Sequence, residues 1–406
     1  METLVKLKTV ATHMGLEPAE EVPAGPRPPA PPQVAPCGQA LPSNNAQARN
    51  SQLGIFNAVI PGGKSIPLLK TLLTSACERN CYYCPFRAGR NFRRTTFKPE
   101  EMAQTFMGMY RAGMVQGLFL SSGIIGGGVR AQNKLLDTAE ILRHKHGFRG
   151  YLHLKIMPGA EMAQVEWAMQ LADRLSVNLE APNDKRLAML APKKQFLEEL
   201  LRPLQWIENI RRTQPRRQEK NGRWPSTTTQ FVVGGVGESD LELLSTTEYL
   251  YRQLNLRRAY YSRFKPVSDT PLENHPAENP QREHRLYQAS FLFRDYGFTL
   301  EELPFTEDGN LPLEMDPKLA YAQVHLTHEP VELNRAGRET LLRVPGIGPK
   351  SATTILQARR LGKLRTLHDL RAIGVRTKRL APFVLLDGKR PTFQPRLFGW
   401  EANGNR

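Results

Sequence analysis

Cysteine is scarce in this chain, with four in 406 residues. So few thiols exclude a disulfide-stapled secreted scaffold, which relies on several bridges to offset a small core. Acid is short as well: 39 Asp and Glu stand against 56 Lys and Arg, a formal net charge of +17. That imbalance directs the search for partners towards polyanions, nucleic acid first. Long apolar runs are missing, and no stretch reaches the ~20 residues that cross a bilayer as a helix. The opening Met1-Glu-Thr-Leu-Val-Lys-Leu-Lys8 lacks the apolar core of a signal peptide, so the expected location is cytoplasmic. What remains is ordinary for a globular protein, 40% hydrophobic and 23% charged, with length for two or more domains.

The few cysteines are not scattered. Cys77, Cys81 and Cys84 read Cys-Glu-Arg-Asn-Cys-Tyr-Tyr-Cys, a C-x3-C-x2-C spacing that puts three thiolates on one short loop. Clustered thiols in a reducing compartment bind metal or do redox chemistry. Zinc favours four protein ligands in paired spacings, and no fourth ligand stands nearby. A [4Fe–4S] cluster normally takes four cysteines; three leave one iron open for a small molecule. The alternatives are a zinc knuckle or plain core thiols. Cys37, in a Pro-rich stretch, reads as an unpaired thiol rather than a fourth ligand.

Residues 18–50 are rich in Pro, Ala, Asn and Gln and are expected to be poorly ordered, with order beginning near Gly54. From Leu68 strand-like runs alternate with helical patterns. Expected strands are Leu68–Ser75, Gly117–Ser122, Tyr151–Met157, Ser176–Glu180, Thr228–Val233 and Arg258–Phe264. Helical patterns follow each, the first at Pro99–Gly113, where Pro99 suits the first turn and Met102, Phe106 and Met109 share a face. The fourth helical stretch runs from Lys193 to about Arg212, with Pro203 a kink or break. Six such units imply parallel strands with right-handed crossovers. Periodicity leaves two outcomes open, a doubly wound sheet or an incomplete barrel. In both, ligands gather at the carboxyl ends of the strands, and the cysteine loop sits at the end of the first.

The last fifth differs. Val331 to Arg406 holds 16 Lys and Arg against 5 Asp and Glu, a net of +11. Its centre, Leu341-Leu-Arg-Val-Pro-Gly-Ile-Gly-Pro-Lys-Ser351, reads as helix, tight hairpin, then a helix opened by Pro349. Backbone N–H groups at such a helix start can face a phosphate, and glycine permits close approach. Gly346, Gly348, Lys350 and Ser351 are therefore candidate nucleic-acid contacts, against the plainer reading of a protein-docking module. Ile373-Gly374-Val375, with Arg376, Lys378 and Arg379 nearby, reads as a degenerate second hairpin. Arg87, Arg90, Arg93, Arg94 and Lys98 follow the third cysteine, and Arg90, Arg93 and Arg94 join the candidate nucleic-acid contacts. A further basic stretch, Arg211 to Arg223, reads as a solvated face.

The cysteine spacing is the signature of the radical S-adenosylmethionine (SAM) enzymes, and the chain resembles a family of prokaryotic radical SAM proteins with a C-terminal helix-hairpin-helix, linked to DNA modification or repair. The resemblance spans Gly54 to Phe398. It implies an α/β fold, a partial (β/α)6 TIM-like barrel followed by a small all-α helix-hairpin-helix domain, with boundaries at 1–53, 54–325 and 326–406. It implies a [4Fe–4S] cluster on Cys77, Cys81 and Cys84, and SAM as cofactor. Tyr83, before the last cysteine, is similar to an aromatic residue that lies against the adenine. Ser121-Ser122-Gly123 occupies the place where relatives often carry Gly-Gly-Glu, so that match is positional. Lys155, Asn178 and Glu180 fall where the ribose or carboxylate of SAM would be met; the plainer reading of each is a surface or salt-bridged residue. Val232-Val-Gly-Gly-Val-Gly-Glu238 resembles the family's Gly-rich turn near the adenine, giving Gly235 and Glu238. No catalytic base is identifiable, and Tyr260 or Tyr261 read as packed strand residues that border the substrate side. Implied partners are DNA, an electron donor such as flavodoxin or ferredoxin, and a uracil-DNA-glycosylase-like protein. Two alternatives stay open: an RNA (tRNA)-modifying radical SAM enzyme, and a non-enzymatic DNA-binding iron–sulfur protein.

Overall fold

The computed structural model describes residues 3–12, 14, 52–59, 64–215 and 222–393. Cys37, the Pro-rich stretch 18–50, and Arg216, Arg217 and Lys220 lie outside the described residues. The chain divides into two compact units, residues 1–236 with 254–277, and residues 237–253 with 278–406.

The first unit is built on a seven-stranded sheet in sequence order. β1 (Ile55–Val59) runs antiparallel to β2 (Ser65–Leu72) and was not foreseen. The strands β3 (Gly117–Ser121), β4 (Tyr151–Lys155), β5 (Arg174–Ser176), β6 (Ser226–Val233) and β7 (Arg258–Arg263) continue from β2 in parallel. Parallel strands laid down in sequence order by right-handed crossovers put their helices on one face, so the sheet curls into a half-barrel. The helices of this unit are α1 (Thr3–Ala11), α2 (Pro99–Arg111), α3 (Gly128–Glu140), α4 (Met162–Leu171), α5 (Asp184–Leu190) and α6 (Arg202–Thr213). Within the stretch expected to lack order before Gly54, α1 buries Leu7 and Val10, and Lys6 reaches Glu101 at 2.5 Å.

The two faces of the sheet differ in chemistry. Leu118, Leu120, Leu152, Leu154, Leu175 and Phe231 are fully buried on the helix-covered face. The register aligns Lys70, Phe119, His153 and Arg174 on the other face, with Lys155, Ser176, Thr228, Gln230 and Tyr260 further along. None of the seven strands contains Asp or Glu. The concave side therefore gathers its polar and basic residues towards the carboxyl ends of the strands, beyond an apolar cluster of Ile66, Leu68, Phe119 and Tyr151, while the outer side is mainly aliphatic. Helix α2 forms as its sequence suggests: Pro99 opens it, Glu101 accepts from the Lys98 N–H, and Met102, Phe106 and Met109 are buried. Each such side chain stabilises by roughly 1.5–3 kcal/mol when fully buried.

The second unit contains α7 (Asp240–Gln253), α8 (Pro280–Phe291), α9 (Pro317–His325), α10 (Arg338–Arg343), α11 (Pro349–Leu361) and α12 (Leu367–Ala372). This unit reaches further back than residue 326 and takes in α7, the helix that follows β6. The Asp240 carboxylate explains the tie: it accepts from Arg282 at 2.8 Å and from the Leu311 N–H at 2.9 Å. The unit is not wholly helical. β8 (Val331–Glu332) and β9 (Val384–Leu385) form a two-residue parallel ladder over a core that includes Leu341, Ile347, Ile355, Leu370 and Leu380.

Candidate functional site

The loop after β2 carries the three cysteines and has almost no regular structure, so its shape must come from side chains. Arg94 supplies much of it. Its guanidinium donates to the carbonyls of Ser75 at 2.7 Å, Phe86 at 2.6 Å, Arg87 at 2.6 Å and Arg90 at 3.3 Å, and stacks 3.8 Å from the Phe92 ring. Arg90 donates to the carbonyls of Pro85 and Ser268. These two arginines hold the loop together; the sequence reading had offered them to phosphates. Arg93 and Lys98 are the exposed members of the run.

The loop is fastened on both sides. Towards β3, Gly123 donates to Thr74 O, Glu78 donates its N–H to Ile124 O, and the Glu78 carboxylate accepts from Gly126 and Gly127, each at 3.0 Å. A Cβ on Gly123 would lie 2.1 Å from the Ala76 carbonyl, so only glycine fits there. Ser121 accepts from Leu73 through its carbonyl and Ser122 bonds within its own turn. Ser121-Ser122-Gly123 thus fits the end of β3 to the residues just before Cys77. Towards the segment after α5, Tyr82 donates to Leu190 O at 2.9 Å and Arg79 pairs with Glu199 at 2.5 Å.

Cys81 is buried, while Cys77 and Cys84 are partly exposed. The Ile124 N–H points at Cys77 Sγ at 3.5 Å, and the Phe86 N–H at Cys84 Sγ at 3.4 Å. Burial pushes the Cys81 thiol up and Lys194 partly offsets it; burial and the neighbouring Cys81 push Cys84 far up. Thiols in this setting ionise when a metal supplies the missing positive charge. Among the described residues no three His, Cys, Asp or Glu side chains gather tightly enough to share one ion. An iron–sulfur cluster asks for a wider arrangement, one thiolate to each of three irons.

Beside the cysteines sits a buried group of three. Lys194 Nζ lies 3.2 Å from Glu180 Oε1 and 3.2 Å from the Tyr83 hydroxyl. The Lys194 and Glu180 side chains are only 8% and 4% exposed, which makes this an interior ion pair. Glu180 occupies the left-handed region at φ 66°, a conformation that costs a side chain roughly 1–2 kcal/mol. It is held there by β6: its N–H donates to Gln230 O at 2.8 Å and its carbonyl accepts from Val232 at 2.7 Å. Burial alone would raise the Glu180 carboxyl; Lys194, Lys155 and the Tyr83 hydroxyl outweigh it and hold it low. Burial and the Glu180 charge hold the Tyr83 hydroxyl well above its usual range. Lys194 keeps its proton because, against desolvation, Cys81 and Glu180 both favour the ammonium.

Asn178 is buried and donates to Gln230 Oε1 at 3.3 Å. Gly235 leaves room for Leu190 and Phe264, which a Cβ would meet at 3.1 and 3.4 Å. Glu238 belongs to the second unit, where its carbonyl accepts from Arg282 at 2.6 Å. Tyr83, Lys155, Glu180, Gly235 and the cysteines thus fall in the first unit, and Glu238 does not. Lys194 escaped the sequence reading because Lys193 to Arg212 passed for one helix. In the fold Pro192 breaks the chain, Lys194 donates to Ala191 O in a turn, and α6 starts at Arg202 after a wide turn at Phe196–Leu201.

The residues fit an iron–sulfur cluster with a polar ligand. Three thiols come from one loop, and Asn80 Oδ1, Arg87 Nε, Ser176 Oγ and Glu180 Oε2 are buried with no hydrogen-bond partner among the described residues. Unpartnered buried polar atoms are costly unless something else satisfies them.

In the second unit, α10 and α11 are joined by Val344-Pro-Gly-Ile-Gly348. Gly346 adopts φ 86°, Ile347 is fully buried, and its carbonyl accepts from Lys318 Nζ at 2.6 Å. Gly348 caps α11 with extended backbone and no side chain. Lys350 is exposed and Ser351 partly so. A Cβ on Gly346 would meet Arg379 Cβ at 3.4 Å, so the turn after α12 lies against this hairpin.

No curated protein sequence matches the chain significantly. Among solved structures, the chain is similar to the FeFe-hydrogenase maturase HydG from Carboxydothermus hydrogenoformans at 16% identity and TM-score 0.44, covering 56% of this chain and 51% of HydG. It is similar to a radical SAM methyltransferase from Sphaerobacter thermophilus at 14% identity and TM-score 0.41, covering 62% and 79%. It is also similar to coproporphyrinogen III oxidase (HemN) from Escherichia coli at 14% and TM-score 0.36, covering 56% and 52%. The chain thus spans about half the length of HydG and HemN. The sequence model of the Radical SAM superfamily matches residues 71–250, which include all three loop cysteines, Glu180 and Lys194. Residues 71–250 are therefore a radical SAM domain, an enzyme domain whose cofactors are a [4Fe–4S] cluster and SAM.

Proposed function

We propose that this chain cleaves SAM to a 5′-deoxyadenosyl radical and directs that radical at DNA, in modification or repair. When bound, the reduced cluster and SAM supply one-electron scission of a C–S bond, leaving methionine and the radical. The observation that carries the reading is the loop of Cys77, Cys81 and Cys84 set against the Lys194, Glu180 and Tyr83 group. The cysteines would hold the cluster. Lys194, a buried cation beside them, would meet the carboxylate of the methionine moiety. Glu180, with one oxygen unpartnered, would accept from hydroxyl or amino groups, and the Tyr83 ring would lie against the adenine. Lys155 adds positive charge near Glu180.

Support for a nucleic-acid substrate comes from the second unit. Gly348 leaves the first N–H groups of α11 without a side-chain cap, the arrangement that receives a phosphate. Lys350 on α11, and Arg376 and Lys378 on the turn that lies against the hairpin, are exposed and add positive charge to this unit. A base within a duplex would have to be flipped or unpaired to reach a half-barrel. The uracil-DNA-glycosylase-like partner would meet the enzyme on that DNA.

The test is anaerobic. Protein reconstituted with iron and sulfide is reduced and given SAM, and 5′-deoxyadenosine is followed by chromatography with and without DNA. Product that is absent in Cys81→Ala and rises with DNA supports the reading. Stimulation by structured RNA alone would move the substrate to RNA. A wild-type cluster that binds no SAM would overturn the enzymatic reading.

A further inference from the structure

The half-barrel carries a polar patch deeper than the group beside the cysteines. Register sets Lys155, Ser176, Thr228 and Arg258 in one row across β4, β5, β6 and β7, with Arg174 in the row below. All five belong to the concave face, since side chains alternate along a strand and Leu154 and Leu175 are buried on the other. The strands also give the depth. Ser176 pairs with Thr228 and Glu180 bridges to Phe231, so the row lies three residues, about 10 Å, below Glu180. A substrate that fills the half-barrel beyond SAM meets this row. Lys155, Arg174 and Arg258 bring three cations, and no strand of the sheet contributes an acid. Arg174 donates to Ser226 Oγ at 2.9 Å, and the Arg258 guanidinium lies 4.8 Å from the Tyr260 ring centroid. The acids next to these strands are engaged: Asp173 accepts from Arg143 and from the Leu152 N–H, both at 2.8 Å, and Glu180 pairs with Lys194. Glu161, Asp269 and Glu273 are exposed on connections beyond the strand ends. Ser176 adds a hydroxyl that is 5% exposed, with no hydrogen-bond partner among the described residues. An orphaned hydroxyl in a row that ends in a cation on each side marks a place for a ligand oxygen. Three cations exceed the single charge of a carboxylate and suit a phosphate, which a guanidinium and hydroxyls bind well when shielded from water.

We propose that Ser176, Thr228 and Arg258, with Lys155 and Arg174 at the edges, form a phosphate subsite for the substrate. The unit that meets the radical then enters the half-barrel as a nucleotide with its own phosphate, and not as a bare base or sugar. The proposal rests on the function proposed above and narrows its substrate. The phosphate is the diester of a strand or the monoester of a free nucleotide, and the chemistry of the subsite is common to both. The subsite lies wholly within the first unit and is distinct from the hairpin at Gly348.

The experiment uses the reconstituted full-length chain loaded with SAM and reads binding by calorimetry. The probes are the four deoxynucleoside 5′-monophosphates, the matching deoxynucleosides, the unphosphorylated dinucleotides and inorganic phosphate. At least one phosphate-bearing probe should bind about tenfold or more tightly than its nucleoside. Arg258→Gln should abolish that difference and Ser176→Ala should reduce it about threefold or more, with iron content and SAM affinity as in wild type. Arg258→Lys should keep part of it, since an ammonium retains the charge without the fork. Lys145→Gln, at an exposed lysine ahead of β4, should change nothing. A preference for the dinucleotides would assign the phosphate to a strand, and one for the monophosphates to a free nucleotide. Equal affinity for nucleoside and nucleotide in wild type, or a preference that survives both Arg258→Gln and Ser176→Ala, would overturn the subsite and leave SAM cleavage standing. Inorganic phosphate bound as tightly as every nucleotide would also overturn it, as a trap for any anion. Protein that binds nucleotides through Arg258 yet forms no 5′-deoxyadenosine would break the function proposed above and keep the subsite.

Discussion

Lys194 Nζ sits 3.2 Å from Glu180 Oε1, in a pair closed off from solvent beside two of the three loop cysteines. Neither charge has water to fall back on. Removing one partner of such a pair leaves the other buried and uncompensated, which costs roughly 3–5 kcal/mol. Lys194→Met should therefore lower thermal stability and weaken SAM binding at least tenfold by calorimetry. Lys194→Arg should recover stability better than affinity, because a planar guanidinium fits the pocket differently.

The same pair predicts a flat pH response. Glu180 is held below its ordinary value, so its stabilisation is present above about pH 4.3, the unfolded value, and disappears only as pH falls further. Lys194 is held above its ordinary value, so its contribution persists up to the usual lysine range and is lost only beyond it. Between pH 5 and 9 both stay charged. SAM affinity across that window should follow no titration of this pair, and an inflection near pH 7 assigned to Glu180 by its loss in Glu180→Gln would contradict the geometry.

Arg94 separates two roles that sequence could not. Its donors satisfy four backbone carbonyls around the cysteine loop, so Arg94→Ala strands several acceptors at about 1–3 kcal/mol for each one left buried. The variant should take up little iron on reconstitution yet bind oligonucleotide as wild type does. Arg93→Ala should do the reverse if the exposed arginine meets phosphate. Iron content and a fluorescence-anisotropy titration measure the two effects independently.

What was legible in the sequence follows from how far apart the cooperating residues lie. Cys77, Cys81 and Cys84 are three near neighbours whose spacing states their purpose. Lys155 was singled out from the third strand and Glu180 from the end of the fourth, where hydrophobic runs give way to polar residues. Lys194 was hidden because its meaning comes from Glu180, 14 residues away, and from Tyr83, 111 residues away. The fourth strand was placed at Ser176–Glu180; it is Arg174–Ser176, and Glu180 makes only an isolated bridge to Phe231. Polar ends of strands carry no hydrophobic signal, so such boundaries drift. Strand β1 is five residues long, which leaves little periodicity to read. The extent of the second unit was likewise invisible, since Asp240 is tied to Arg282 and Leu311 across 42 and 71 residues.

Gly123 tests whether the loop tolerates any slack. A methyl group there would sit 2.1 Å from the Ala76 carbonyl, a contact that backbone must move to relieve. Gly123→Ala should therefore shift Cys77 and reduce iron uptake to a small fraction of wild type. Gly127→Ala is the comparison: nothing lies within 4 Å, and only its φ of 89° resists a side chain. That change should cost about 1–2 kcal/mol and leave most of the cluster in place.

Lys318 gives the hairpin unit a pH signature of its own. It is buried, donates to the Ile347 carbonyl, and has its ammonium 4.5 Å from the Tyr296 ring centroid. Burial pushes its pKa down to about 7, with Asp316 resisting and Arg379 and Arg343 assisting. In the unfolded chain the same lysine holds its proton up to about pH 10.4. Between those values the unfolded state binds more protons, so stability rises with pH, by up to about 1.4 kcal/mol per unit. Below pH 7 both states are protonated and the slope vanishes. Urea unfolding of the whole chain at pH 7, 8 and 9 should show this rise in wild type, and subtracting the Lys318→Met series, in which the charge is gone, isolates it. Equal slopes in the two proteins would mean that Lys318 stays charged under the hairpin. The ammonium would then be a permanent part of the field that α11 presents to a phosphate at Gly348, and oligonucleotide affinity would lose its own dependence on pH in this range.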